Sequence, residues 1–317
     1  MTLRRSTRTA RVGIAAAALW LALGVVQPTQ AAAVTVTNLT ARTNTPTSTL
    51  NLRTCAATTC SAVRRIPDGT VLTLTAARGD WFGTSYGGRS GWVHSRYTVL
   101  RGTPAKTVSR GTTSRRMVSY TFDAGSDLGH TGAIVDFLAA QRIKASFGLT
   151  GRWAQANQAA VQRIARDGHH FINHTWDHGS FTGFSTGRAA LTPARRTEQL
   201  VRTDNLVKKL TGRSTRPYFR PPYGDHNSGV LRDVGANRYK TNVMWSVDSL
   251  GWNGLTSRQI CGRVVDSMAE ASNGGNGYII LFHVGSASAD AAALPCITRT
   301  LRDRGFTFGT VPQVLAR

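Results

Sequence analysis

The chain has 317 residues, of which 41% are hydrophobic, with 32 glycines and a formal net charge of +23. That is room for two ordinary globular domains. A positive field attracts polyanions, but there is no long lysine or arginine block, recognition helix, RNA-binding signature or alternating aromatic–basic stripe. The absence of those signals argues against a nucleic-acid partner, and the charge suits a solvated basic surface resting on another polyanion, such as an acidic bacterial wall.

The N-terminus sets the expected compartment. Arg4, Arg5, Arg8 and Arg11 precede an apolar run from Val12 to Val26, and Thr29-Gln30-Ala31-Ala32-Ala33 supplies small residues for cleavage. This reads as a secretory signal peptide over residues 1–33, its apolar run short for a membrane span. Taking its four arginines from +23 leaves +19 for the mature chain. Arg4-Arg5 hints at a twin-arginine export route, although the hydrophobic residue expected soon after the pair is missing. No other segment is apolar enough to cross a bilayer, so a released or wall-held monomer is expected. Four cysteines in an exported chain imply two disulfides. Their positions favour Cys55–Cys60 and Cys261–Cys296 over crossed pairings, and the tight CxxC spacing of a cysteine-only zinc site is absent.

From Val34 to Leu100 the sequence is strand-rich and punctuated by turns. Leu50-Asn51-Leu52-Arg53 alternates, Pro67-Asp68-Gly69-Thr70 turns, and Val71-Leu72-Thr73-Leu74 is a strand. Asp80-Trp81-Phe82 and Gly88-Arg89-Ser90-Gly91-Trp92-Val93 form the arms of a hairpin. Short strands of this kind make a small barrel that Cys55–Cys60 could staple. The stretch resembles the bacterial SH3-like domain through its LNLR opening, its IPDGTVLTL strand pair and its GRSGWVHSRYT close. That resemblance implies cell-wall binding, commonly to peptidoglycan peptides. Trp81 and Trp92 are weighted as core before ligand contacts.

Residues 101–116 are rich in Thr, Ser, Gly and basic side chains without periodicity, and are expected to be a linker. Beyond them the rhythm changes. Strands are expected at Met117–Phe122, Ala145–Leu149, His170–Asn173, Tyr218–Arg220, Asn242–Val247, Tyr278–Phe282 and Thr307–Phe308. Between them come helices at Thr131–Gln141, Gln158–Arg166, Thr192 to about Leu210, Val230–Val234, Ser257–Ala271 and Ala291–Arg302. Thr192-Pro193 is a cap followed by proline in the first turn. Strict alternation predicts an α/β fold with a parallel sheet and outer helices. A closed or nearly closed barrel is preferred to an open doubly wound sheet, because reactive residues stand at several strand ends and a barrel gathers them on one face. No glycine-rich phosphate loop follows the first strand.

Those reactive residues are Asp123, His174, His178, Arg220 and His283. Asn173-His174-Thr175-Trp176-Asp177-His178 places two imidazoles four residues apart, expected on a helical turn and able to share a divalent cation. Asp123 could take a proton from an attacking water, and His283 could give one to a leaving amine or alcohol. Arg220, stiffened by Pro221-Pro222, could hold a carboxylate ionised. Singly, each has a bland reading: a capping or core histidine, a structural ion pair. Together they are hard to assign to chance.

The span 117–317 resembles the NodB-like polysaccharide deacetylases (carbohydrate esterase family 4), which remove N- or O-acetyl groups. The matching motifs are TFDAG at Thr121–Gly125, NHTWDH at Asn173–His178, RPPYG at Arg220–Gly224, DSLGW at Asp248–Trp252 and IILFH at Ile279–His283. The resemblance implies a distorted, partly open (β/α) barrel and one divalent metal, usually zinc or a similar ion such as cobalt, manganese or nickel. It implies Asp123 as general base, His174 and His178 as metal ligands, Arg220 as tuner of the base, and His283 as general acid. Tyr223 would offer a backbone N–H to the oxyanion, and Trp252 and Leu281 would line an acetyl pocket. Two positions depart from the family's pattern. The second aspartate, usually the third metal ligand, is Ala124, and Asp127 is close enough in sequence to be its candidate replacement. The aspartate that often precedes the motif tryptophan is Gly251, and Asp248 is the candidate to support His283 instead.

The implied activity is a secreted, metal-dependent deacetylase acting on N-acetyl groups of peptidoglycan, with chitin oligomers and acetylxylan as further candidate substrates. Two alternatives remain open at this stage: a non-catalytic glycan-binding protein that has lost its metal, and an O-acetyl esterase.

Overall fold

The computed structural model describes residues 32–316. The expected signal segment through residue 31 lies outside the described residues. Seven strands come first: β1 (Val34–Thr43), β2 (Thr49–Arg53), β3 (Ala62–Pro67), β4 (Val71–Arg78), β5 (Trp81–Tyr86), β6 (Arg89–His94) and β7 (Thr98–Arg101). They pair in the order β3-β2-β6-β5-β4-β1-β7, with antiparallel registers throughout. Alternate residues turn inward: Leu50 and Leu52, Leu72 and Leu74, then Phe82, Val93 and Leu100 are buried in one cluster. Register shifts at Thr35/Leu39, Leu52/Arg53 and Leu74/Ala76 let the sheet bend around that cluster. The Cys55–Cys60 disulfide closes the β2–β3 connection.

The second sheet has nine strands: β8 (Lys106–Val108), β9 (Met117–Ala124), β10 (Ser146–Leu149), β11 (His170–Asn173), β12 (Tyr218–Phe219), β13 (Thr241–Val243), β14 (Val247–Asp248), β15 (Ile279–His283) and β16 (Thr307–Phe308). All its registers are parallel, and the path β14-β15-β9-β10-β11-β12-β13-β8 has two ends, with β16 attached to β9. It is a curled, partly open barrel. Its helices are α1 (Thr131–Ala140), α2 (Gly151–Ala156), α3 (Gln158–Arg166), α4 (Pro193–Thr211), α5 (Ser228–Ala236), α6 (Ser257–Ala269), α7 (Asp290–Asp303) and α8 (Val311–Leu315). The start of α4 is fixed by the Thr192 hydroxyl, which accepts from the Arg195 N–H, and its end by Gly212 at φ 72°. Cys261–Cys296 ties α6 to α7.

Three expectations change. Residues 101–116 are not a free spacer: β8 adds a strand beside β13, and Gly111 donates its N–H to the Gly277 carbonyl. The expected strand Asn242–Val247 divides into β13 and β14, on different parts of the sheet. The His174–His178 turn is not helical, because Thr175 and His178 adopt φ of 69° and 62°. Left-handed residues cannot continue a right-handed helix.

The pleat of β9 sorts its side chains. Tyr120 and Phe122 face the helices, where Phe122 packs 5.4 Å from Phe282 and 5.2 Å from Phe147 between ring centres. Thr121 and Asp123 therefore face the other way. The same alternation on β15 sends Ile280 and Phe282 to the apolar cluster, with Leu281 and His283 opposite.

Candidate active site

Asp123 and His283 are register partners at the ends of the adjacent parallel strands β9 and β15. Strand spacing sets two such backbones about 5 Å apart, so a carboxylate and an imidazole flank one small space. Asp123 is almost fully buried. Its Oδ1 accepts from Arg220 Nη1 at 2.9 Å, and its Oδ2 lies 3.5 Å from His174 Nε2. Burial alone would push this carboxyl up. The Arg220 guanidinium, then His174 and His283, overcome that and hold it below the ordinary carboxylate range.

Arg220 is 0% exposed, and its guanidinium donors are directed by the backbone. Nε donates to the Val243 carbonyl at 2.9 Å and Nη2 to the Met244 carbonyl at 3.3 Å, leaving Nη1 for Asp123. The Arg220 carbonyl accepts from His174 Nδ1 at 2.9 Å. One residue thus holds the carboxylate through its side chain and fixes the His174 tautomer through its backbone, since Nδ1 must carry the proton. Burial lowers the proton affinity of His174, so Nε2 presents a lone pair towards Asp123.

The His178 ring stands 4.9 Å from that of His174, edge to face, and burial pushes its pKa down to about 4. On its other side, 4.9 Å away, is the ring of Tyr223, itself at φ 61° and 53% exposed. Of the seven non-glycine residues with positive φ among the described residues, Thr175, His178, Tyr223 and Leu250 all belong to loops around this space. Each such conformation costs on the order of 1 kcal/mol, and its concentration here is what a shaped site looks like. Trp252, 53% exposed, sets its ring 6.4 Å from His283 at the rim, while Leu281 is buried two residues before His283 on the same strand.

Two proposed carboxylates are directed elsewhere. Asp127 spends both oxygens on Ser286, accepting from its N–H at 2.8 Å and its hydroxyl at 2.5 Å, and is exposed. It does not take the place of the missing ligand, and Ala124 itself lies in the apolar cluster. Asp248 turns back on its own loop, accepting from the Leu250 N–H at 2.9 Å, and acts on His283 only as a nearby charge. Among the described residues no three His, Cys, Asp or Glu side chains converge as a closed metal cage. The donors that do meet still fit a cation. An unprotonated His174 Nε2 facing an ionised Asp123 oxygen at 3.5 Å, beside a second neutral imidazole, is an arrangement of lone pairs that a positive charge relieves.

Residues not singled out from the sequence also shape the site. A Cβ on Gly148 would fall 2.2 Å from Asp123 Oδ1, and one on Gly125 would fall 2.9 Å from the His178 ring. Glycine within the apolar run Ser146-Phe147-Gly148-Leu149 was a signal of close approach, visible but mute about its partner. Trp245, 5.7 Å under the Arg220 guanidinium, gave no signal at all.

A parallel barrel with acid–base groups and paired imidazoles gathered at its strand ends is the setting of a hydrolase. The polysaccharide deacetylase family model matches residues 110–241, and a bacterial SH3 domain model matches residues 48–99. A peptidoglycan-N-acetylglucosamine deacetylase of Bacillus cereus is 30% identical over 207 residues, which cover 64% of this chain and 70% of the relative. YlxY of Bacillus subtilis is 26% identical over 208 residues, 66% of this chain, which spans only 60% of YlxY's length. A solved peptidoglycan N-acetylglucosamine deacetylase in complex with 4-naphthalen-1-yl-N-oxidanyl-benzamide superposes with a TM-score of 0.58 and 28% identity, covering 66% of this chain and 92% of that one. The chain belongs to the polysaccharide deacetylase family, hydrolases of carbon–nitrogen amide bonds, and carries a bacterial SH3 domain ahead of the deacetylase fold.

Proposed function

We propose that this protein is an exported deacetylase that removes N-acetyl groups from peptidoglycan sugars, held at the wall by its SH3 domain. The observation that carries the reading is the Asp123–His283 register pair with Arg220 and His174 closing on the same carboxylate. Asp123, kept ionised by Arg220, accepts the proton of the attacking water. His283, across the acetyl group, donates to the departing sugar amine. Tyr223, held in the left-handed region, would offer its backbone N–H to the developing oxyanion. Trp252 and Leu281 bound the methyl group and restrict water. His174 and His178 would hold a divalent cation, zinc being the best match to two imidazoles, and that cation would supply Lewis-acid polarisation of the acetyl carbonyl. Asp248 remains a charge that favours the protonated form of His283.

The SH3 portion supports a wall-bound reading. Trp81, His94, Arg96 and Tyr97 line a cavity of 670 Å³ that also reaches Asn44 and Arg53. Trp81 is buried, so its role there is mainly to shape the wall of the cavity. Two disulfides and a basic surface suit an extracellular enzyme on an anionic polymer. Among the described residues no helix is long and apolar enough to cross a membrane.

The test is acetate release from peptidoglycan, chitin oligomers and acetylxylan, each with and without added zinc. Preference for peptidoglycan supports the reading. Release from acetylxylan alone would favour an O-acetyl esterase, and binding without release would favour the non-catalytic alternative that Ala124 raises.

A further inference from the structure

Gly251 leaves a space beside Trp252, and another residue fills it. A Cβ built on Gly251 would lie 2.4 Å from Oδ1 of Asp290 and 2.6 Å from its Cγ. The carboxylate of Asp290 thus occupies the volume that a side chain at position 251 would need. Asp290 is the first residue of α7 and is 0% exposed. Its Oδ2 accepts from the His283 backbone N–H at 2.8 Å and lies 3.7 Å from His283 Nδ1. Its Oδ1 has no hydrogen-bond partner, and neither does His283 Nδ1. A buried carboxylate with an unused acceptor, whose other oxygen lies 3.7 Å from a buried ring nitrogen that lacks a partner, is the natural complement of that nitrogen. Nδ1 stands short of a formed hydrogen bond, and a small turn of the ring closes it.

The plain role of an acid in a helical first turn is to complement the helix dipole. That role needs no contact with β15, yet Oδ2 leaves the helix to bind the backbone of His283. We propose that Asp290 is the positioning carboxylate of His283, delivered from the start of α7 into the place that Gly251 vacates. The proposal rests on His283 being the proton donor of the deacetylase reading.

An Nδ1–H directed at Asp290 leaves Nε2 as the atom that carries and donates the catalytic proton, and fixes the plane in which it points. The groups facing His283 are Asp123 on β9, His174 and His178 beyond β11, Asp248 on β14, Asp290 on α7 and the Trp252 ring. Burial opposes protonation of His283, but the adjacent Asp290 carboxylate, with the charges of Asp123 and Asp248, more than offsets it. Among these carboxylates, Asp290 alone bonds to His283 itself.

The test compares wild type with Asp290→Asn, Asp290→Ala and the double variant Asp290→Ala/Gly251→Asp, in the full chain. Readouts are kcat and KM for acetate release and the NMR titration of the His283 ring. Asp290→Asn keeps the shape and should lower kcat about 100-fold with KM nearly unchanged, while the His283 titration moves to lower pH. Gly251→Asp should restore kcat about tenfold in the Asp290→Ala background, and should lower it where Asp290 remains, because the two side chains claim one volume. Wild-type kcat in Asp290→Asn, or a His283 titration that does not move, overturns the proposal. A wild type that releases no acetate would instead overturn the deacetylase reading, and the titration would still decide the place of Asp290.

Discussion

Arg220 shows how much one residue is asked to do. Its charge keeps a buried carboxylate ionised, its carbonyl orients an imidazole, and its own position depends on two backbone carbonyls. Arg220→Lys retains a charge but not the rigid fork, so Asp123 should lose much of what holds it below its ordinary value. With burial then less opposed, its pKa rises. The acid limb of the pH–rate profile should move to higher pH, and kcat/KM should fall roughly 100-fold at neutral pH. An unmoved limb would show that Arg220 does not tune the base. Gly148 is the second sensitive position. Gly148→Ala places a methyl where Asp123 Oδ1 now sits, and should cost about 1–3 kcal/mol together with most of the activity. Denaturant unfolding and acetate release on the same sample check both halves of that prediction.

At the level of elements, the strands and helices were largely legible because alternation and capping are local signals. Thr192-Pro193 and Gly212 bound α4 as expected. The motif residues were legible too, since Asp123, His174, His178, Arg220 and His283 are carried at or just beyond strand ends. What could not be read were long-range choices. Lys106–Val108 is too short to show period, and it becomes a strand only because β13 offers an edge. Asp290 reads like any acid at a helix start, and its contact with His283 depends on a tertiary fold that brings α7 back over β15. Asp127 was near in sequence and failed for the converse reason, as the Ser286 loop captures its carboxylate first. The α6–α7 pair that carries Asp290 is tied by Cys261–Cys296, a link across 35 residues. Replacing both cysteines by alanine should cost about 4 kcal/mol by chain-entropy reasoning, visible in urea unfolding. An unchanged midpoint would mean that packing alone holds α7 in place.

Across the whole molecule, the two portions share apolar packing. Ala194 and Val201 of α4 and Ala236 of α5 join the cluster built from the small barrel's strands. Arg195 clasps Asp80, whose Oδ1 also accepts from the Thr192 hydroxyl, and Glu198 accepts from the Gly79 N–H. This arrangement would hold the SH3 cavity in fixed relation to the catalytic face, which suits a polymer bound at two points. The protein should also be acid-sensitive for a reason independent of the site. Burial holds His169 and His170 at a pKa of about 4, far below an unfolded histidine near 6.5. Below pH 6.5 the unfolded chain takes up protons that the folded one refuses, so stability is complete above that pH and declines as pH falls towards 4. The loss is up to about 3 kcal/mol for each histidine. Urea midpoints at pH 7, 5.5 and 4.5 should fall in that order, and His170→Phe should flatten the slope; a midpoint independent of pH would contradict it.

The most direct measurement is acetate release from N-acetylated peptidoglycan by the purified protein, before and after chelation, alongside His174→Ala. The account predicts release that chelation abolishes, that added zinc restores, and that His174→Ala lacks under every condition. Equal release before and after chelation, or full activity in His174→Ala, would contradict it.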